Sequence, residues 1–281
     1  MTNENPPDIL YHYTTQDGLL GILKEKALWA TKIQYMNDAS ELVVPLDIAY
    51  KVLFMLTGQL ADKHQEVKDH PLYGKAVQPI VDRISNAISG SSMMNLCVVS
   101  FCSSKDLLSQ WRAYCNIGSA YAIGFNSREL LKDASINGFS MMQCEYLPTE
   151  GYNTRIIDFI KQLLAKSLVD NKVLDGFMLE FIEMASTIKL ECFREEGEWR
   201  LVSSNIHIYS DERFGFHPGK STVIPYYSIP IRMESIAEVV VGPTPNPDLT
   251  ENAVIGLECK YGLDEVENFK VTRSEIPYRN L

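Results

Sequence analysis

The sequence predicts an α+β domain: a sheet built from both ends of the chain, with helices gathered in the middle. Three observations point there. β-type runs stand near the start ("ILYHYT", Ile9–Thr14) and near the end ("IAEVVV", Ile236–Val241), while helical periodicities cluster between them. Strands and helices do not alternate as βαβ units would. No Gly-x-Gly-x-x-Gly or P-loop stretch occurs, which disfavours a Rossmann or Walker nucleotide site. A chain of 281 residues is long enough to bury its core without disulfides or metal. We read it as one domain, 1–281, with helical insertions at about 39–92 and 152–190.

Taken in order, the opening strand leads into "TQDGLLGILKEKAL", where Leu19, Leu20, Ile22 and Leu23 lie at helical spacing behind a cap at Asp17. "LWATKI" reads as a short strand ending in an Asn37-Asp38 turn, with Asp38 and Glu41 as a capping box for a helix over 39–55. A polar, His-containing stretch follows, then a second helix through "AVQPIVDRISNAIS". "MNLCVVSFC" is a buried strand, "SSKDLLSQWRAYC" a short helix, and "SAYAIGFN" and "FSMMQCEYL" are strands. "YNTRIIDFIKQLLAKSLVD" and "GFMLEFIEMASTIKLECF" read as helices, and "EWRLVSS" as a strand. "TVIPYYSIPI" has two prolines and reads as an edge strand. Strand, Pro-rich turn and helix close the chain, with Asp248 and Glu251 as a box and Gly262 past the helix end.

Composition narrows the function classes. The formal net charge is −10 and no block of Lys or Arg stands out, which argues against a broad nucleic-acid surface. No run approaches eighteen apolar residues, and "MTNENPPD" lacks the build of a signal peptide, so the expected location is the cytoplasm. Six cysteines at irregular spacing, without a Cys-x-x-Cys pair, read as reduced, buried thiols, and no metal is expected.

Three stretches carry candidate chemistry. In Tyr11-His12-Tyr13-Thr14, His12 and Thr14 share one face of a strand, where an imidazole beside a hydroxyl can bond a ribose diol. The plainer reading is a good strand with a core histidine. In "SQWRAYC", Trp111 and Tyr114 share a helix face on which a flat ring could stack, and Arg112 could meet a pyrophosphate. The plainer reading is a core stripe. In "CFREEGEWRLV", Glu195, Glu196 and Glu198 precede or open a strand, and negative charge there would stabilise an oxocarbenium-like centre. The plainer reading is an acidic turn with Glu198 paired to Arg200.

Together, "LYHYTTQDGLLGIL", "YMNDASEL", "VVSFCSSKDLLSQWRAYCNIGSAYAIGF", "CFREEGEWRLV" and "VVVGPTPN" resemble domain-of-unknown-function family 2971 (DUF2971). The opening also resembles the first strand and helix of ADP-ribosyltransferase-like proteins. That second resemblance implies a split β-sheet core with NAD as substrate. It casts His12 as the ribose ligand, Thr14 as its neighbour, and Glu198 as the catalytic carboxylate in a Glu-x-Glu pair with Glu196. It leaves Tyr114 or Tyr121 as the aromatic on nicotinamide. A clear Ser-Thr-Ser strand motif is missing. The implied activity is ADP-ribosyl transfer or NAD hydrolysis, with a protein side chain, a nucleic-acid base or water as acceptor, in the setting of a toxin or phage-defence effector. The alternatives are a nucleotide-sensing module of the same fold and a structural interaction domain.

Overall fold

The computed structural model describes residues 5–36, 44–52, 54–55, 82, 96–114, 120–167, 177–204, 211–219 and 221–277. The Asn37-Asp38 turn with its Glu41 box, the helix expected over 76–89 apart from residue 82, and Cys115 lie outside the described residues, as does most of the 39–92 stretch.

The chain folds as α+β around an open mixed sheet, with ten strands among the described residues. In order these are β1 (Ile9–Thr15), β2 (Ala27–Lys32), β3 (Cys97–Cys102), β4 (Ala120–Asn126), β5 (Phe139–Gln143), β8 (Glu198–Ser203), β9 (Phe214–Pro218), β10 (Val223–Pro230), β11 (Ile236–Val241) and β12 (Lys270–Arg273). The short strands β6 (Glu145–Leu147) and β7 (Ile188–Leu190) pair separately, in parallel. The helices are α1 (Gln16–Glu25), α2 (Leu108–Tyr114), α3 (Ser127–Ile136), α4 (Thr149–Ser167), α5 (Phe177–Ala185) and α6 (Pro247–Tyr261), with a further helical stretch over 44–52.

The sheet runs β12-β11-β4-β1-β3-β2-β10-β9, and β8 and β5 branch from β3. On one edge β3 pairs with β8 from Val98↔Val202 to Cys102↔Glu198. The other edge is divided: β2 takes Cys97 and Val98, and β1 touches only at Cys102, opposite Tyr11. β1 and β2 therefore part around residues 99–101 of β3.

Alternation along the strands sends their side chains to two faces. On one face Leu10, Phe101, Ile123 and Trp199 pack against Leu19 and Leu23 of α1 and Leu130 of α3. The opposite face is shared by two separate clusters. One sets Ile156 and Ile160 of α4 and Phe181 of α5 over Val98 and Val202. The other sets Trp111 of α2 over Tyr11, Tyr13, Ala122 and Val240. Between them lies a strip of β3 and β8 that carries polar side chains.

Several local expectations change. The cap of α1 is Thr15, which accepts from Gly18 N, two residues before the expected Asp17. The stretch 176–193, read as one helix, holds α5 only to Ala185, then β7 and a 3-10 turn, Glu191–Glu196. The β-branched Thr187 and Ile188 follow a helix whose end is closed by Ser186 and Thr187 hydroxyls on Glu183 O. β10 is an inner strand, because β9 covers it on the side away from β2. Asp248 and Glu251 do not cap α6 but pair with Arg273 of β12. Pro247 begins that helix and Gly262 ends it at φ 75°, as the sequence predicts. Cys97, Cys102 and Cys144 are buried free thiols, whereas Cys192 and Cys259 are exposed.

Gly242, at the end of β11, donates its N–H to Ala120 O at 2.9 Å. A Cβ there would lie 2.7 Å from that oxygen and 2.8 Å from the Trp111 ring. Gly242→Ala is expected to cost about 1–3 kcal/mol by overpacking backbone and ring together. Urea unfolding measures it; an unchanged midpoint would contradict the close approach of α2 to the sheet.

Candidate functional site

The strip between the two clusters is the floor of a cleft of about 370 Å³. Its size falls at the lower end of small-molecule pockets. Into it open His12, Tyr114, Glu196, Glu198 and Arg200, with Lys189 between the carboxylates.

His12 sits where β1 and β2 part. Its Nδ1 is 3.0 Å from Ser100 O, and a carbonyl only accepts, so Nδ1 carries the hydrogen. The ring closes the gap that backbone pairing leaves on that edge of β3, with Phe101 at 5.8 Å between centroids. Burial lowers its pKa, more strongly than the Ser100 bond raises it. The neutral ring thus keeps Nε2 as an acceptor.

The carboxylates come from the turn before β8. Gly197 stands at φ 50° and lets the chain pass from the 3-10 turn into β8 with Glu196 and Glu198 converging on one ammonium. Lys189 Nζ donates to Glu196 Oε2 at 2.6 Å and to Glu198 Oε2 at 2.7 Å. Glu198 and Arg200 share a strand face. Arg200 Nε and Nη2 reach Oε1 and Oε2 of Glu198 at 2.7 and 3.1 Å, a two-pronged pair. Arg200 Nη1 also donates to Ser186 O at the end of α5. Tyr146 and Cys144 hold the Glu198 backbone: its N–H donates to Tyr146 Oη at 2.7 Å and its carbonyl accepts from Cys144 N at 2.9 Å. Burial alone would raise the Glu198 pKa, but Arg200 and Lys189 outweigh it and hold the carboxyl at about 2.

Tyr114 forms the opposite wall, half-buried, 6.4 Å from the Tyr13 ring. Burial and then the nearby charges of Glu198 and Glu196 raise its pKa. Cys102 lies on the floor, its thiol pushed up to about 11 by burial. It stays protonated and is a poor nucleophile.

The structure gathers His12, Tyr114, Glu196 and Glu198 into one cleft and leaves the other candidates outside it. Thr14 is buried away from the cleft. Trp111 is wholly buried, with Nε1 donating to Asp106 at 2.6 Å, so it is a packing post for α2. Arg112 points outward from that helix. Tyr121 packs on the far face of the sheet among the α1 and α3 core. Of the two tyrosines left open as the aromatic, only Tyr114 reaches the cleft. Lys189 was missed because "STIKLECF" reads as helix. Trp29 and His217, which also line the cleft, sit in strands where aromatic residues are ordinary.

The lattice has a pH signature. Glu198 is depressed from 4.5 to about 2 in the folded state, so its contribution is full above pH about 4.5 and is lost as pH falls toward 2. Glu198→Gln is expected to cost on the order of 3 kcal/mol near neutral pH, with the deficit shrinking at about pH 3. Denaturant unfolding at both pH values measures this; an equal deficit at both would show that Glu198 stabilises by shape and not by charge.

Residues 110–201, from α2 into β8, match the family model described as "Protein of unknown function (DUF2971)". The matched span holds Tyr114, Lys189, Glu196, Glu198 and Arg200 of the cleft, and not His12. No curated protein and no solved structure matches the chain. The match supports the placement of this stretch in the DUF2971 family.

Proposed function

We propose that the cleft binds NAD as a substrate and acts on the bond between nicotinamide and ribose, as an ADP-ribosyltransferase-like transferase or NAD hydrolase. One observation carries the reading: residues far apart in the sequence, His12 and the Glu196/Glu198 pair, open into one cleft where the sheet splits. The nicotinamide riboside end of the dinucleotide lies at His12 and the carboxylates.

Each residue has a chemical part in this reading. Nε2 of His12 accepts from a ribose hydroxyl and holds the sugar. Tyr114 offers a ring face to nicotinamide. As the C–N bond lengthens, nicotinamide leaves with the bonding pair and loses its positive charge. Positive charge then grows on C1′ and its ring oxygen, and the Glu196 and Glu198 carboxylates stabilise it. A lone pair from water or an acceptor group forms the new bond at C1′, and its proton passes to a carboxylate or to solvent.

A second reading has its own support. Both oxygens of Glu198 are already engaged by Arg200 and Lys189. A carboxylate so held can shape a pocket for a nucleotide without turning it over, as a sensing module would.

Nicotinamide release from labelled NAD, with and without a cell lysate, separates the two. The enzyme reading predicts release by the wild type and a loss of about a hundredfold or more in Glu198→Gln, with NAD still bound. NAD binding without release in either protein would favour the sensing module. Absence of NAD binding would overturn both.

A further inference from the structure

The cleft does not end at the carboxylates. Its floor follows β3 from Cys102, beside Glu198, to Val98, beside Thr31 of β2. Those four residue steps span about 13 Å. At the Val98 end, Trp29 of β2, Tyr226 of β10 and His217 of β9 form a cluster of three rings. Trp29 stacks on Tyr226 at 4.4 Å and 23°, and on His217 at 5.4 Å and 28°. All three are half-buried, and Trp29 and His217 line the same cleft as His12 and Glu198.

Local features hold this shelf in place. Gly215 lies opposite Tyr226 on β9, and a Cβ there would come within 2.8 Å of the tyrosine ring, so glycine lets the ring lie against the strand. Trp29 Nε1 donates to Glu25 Oε2 at 2.9 Å, which fixes the indole plane. His217 Nδ1 is bonded to Pro218 O at 3.1 Å.

Charge gives a ligand little to hold. Among the described residues, Lys189 and Arg200 are the Lys and Arg side chains that line the cleft, and both are tied to carboxylates. The chain as a whole carries −10. A nucleotide must therefore be held mainly by its rings.

We infer that Trp29, with Tyr226 and His217 behind it, is a stacking site for the nucleobase at the far end of a dinucleotide whose reacting ribose lies at His12. This rests on the NAD reading above and extends it. One aromatic, Tyr114, serves the nicotinamide end. A separate shelf on another wing of the sheet serves the adenine end. His12 and Trp29 stand on different strands, β1 and β2, where those strands part, and both line the one cleft.

The test titrates the full chain with NAD, nicotinamide mononucleotide and AMP. Trp111 and Trp199 are buried, so quenching of the half-buried Trp29 reports the shelf directly. Calorimetry measures affinity in parallel. Trp29→Ala is expected to weaken NAD and AMP by about tenfold, the scale of one lost base stack. Nicotinamide mononucleotide, which lacks the adenosine, should bind Trp29→Ala as it binds wild type. Trp29→Phe keeps a ring and should recover most of the NAD affinity, which guards against a folding defect.

Equal NAD affinity in wild type and Trp29→Ala would overturn the inference while leaving the NAD reading standing. So would equal weakening of NAD and mononucleotide. If Trp29→Ala keeps NAD affinity but lowers transfer to an acceptor, the shelf belongs to the acceptor, and the inference fails. If wild type binds AMP through Trp29 but neither nicotinamide ligand, the NAD reading fails and the base shelf stands. If wild type binds none of the three, both fall.

Discussion

Strand β3 has two edges and three neighbours, and the cleft follows from that mismatch. β8 occupies one edge along its length. β2 and β1 divide the other, at Val98 and Cys102, and between them no strand among the described residues reaches the backbone. An unpaired carbonyl in a sheet interior costs roughly 1–3 kcal/mol. At Ser100 the cost is met by the His12 ring, through Nδ1. The same bond closes the sheet and fixes the tautomer, which leaves Nε2 to accept. A structural demand and a chemical capacity thus coincide in one side chain.

The other side of the floor obeys a related rule. Burying Glu198 without partners would be prohibitive, and Arg200 and Lys189 make it tolerable. Two carboxylates and two cations leave the group near electrical balance. Its order is inherited from the fold: β8 supplies Glu198 and Arg200, β7 supplies Lys189, and the glycine turn supplies Glu196. Arg200 also reaches the end of α5, so the lattice ties the helical layer to the sheet. A preorganised polar floor of this kind does not need to reorganise when charge develops above it.

Much of this was legible in the sequence, for identifiable reasons. β1, β3, β4, β8 and β11 are runs of β-branched and aromatic residues bounded by turn signals, and their positions emerge within a residue or two. His12, between two tyrosines of a strand, and Glu198, at the mouth of another, were legible as candidates mainly through the resemblance to ADP-ribosyltransferase-like proteins. Their meeting was not, since strand order is a long-range property that no local pattern encodes. Thr14, Trp111 and Tyr121 failed to reach the cleft because alternation and helix phase show which residues share a face, and not which face borders the cleft. Lys189 and β7 were hidden by the apolar stretch of α5, which runs without a glycine or proline into the strand. The edge reading of β10 rested on its prolines. Pro230 sits at the strand end and Pro225 in the register with Phe216 of the short strand β9, so both are accommodated inside the sheet.

The central claim is that the gap between β1 and β2 is a ligand site whose key acceptor is Nε2 of a neutral, tethered His12. Nitrogen NMR of the imidazole, assigned with His12→Gln, tests it most directly. The account predicts a ring that keeps its Nδ1–H and titrates below its ordinary value, with an Nε2 resonance that moves when NAD is added. A ring that titrates near the ordinary value of 6.5 and ignores NAD would contradict it.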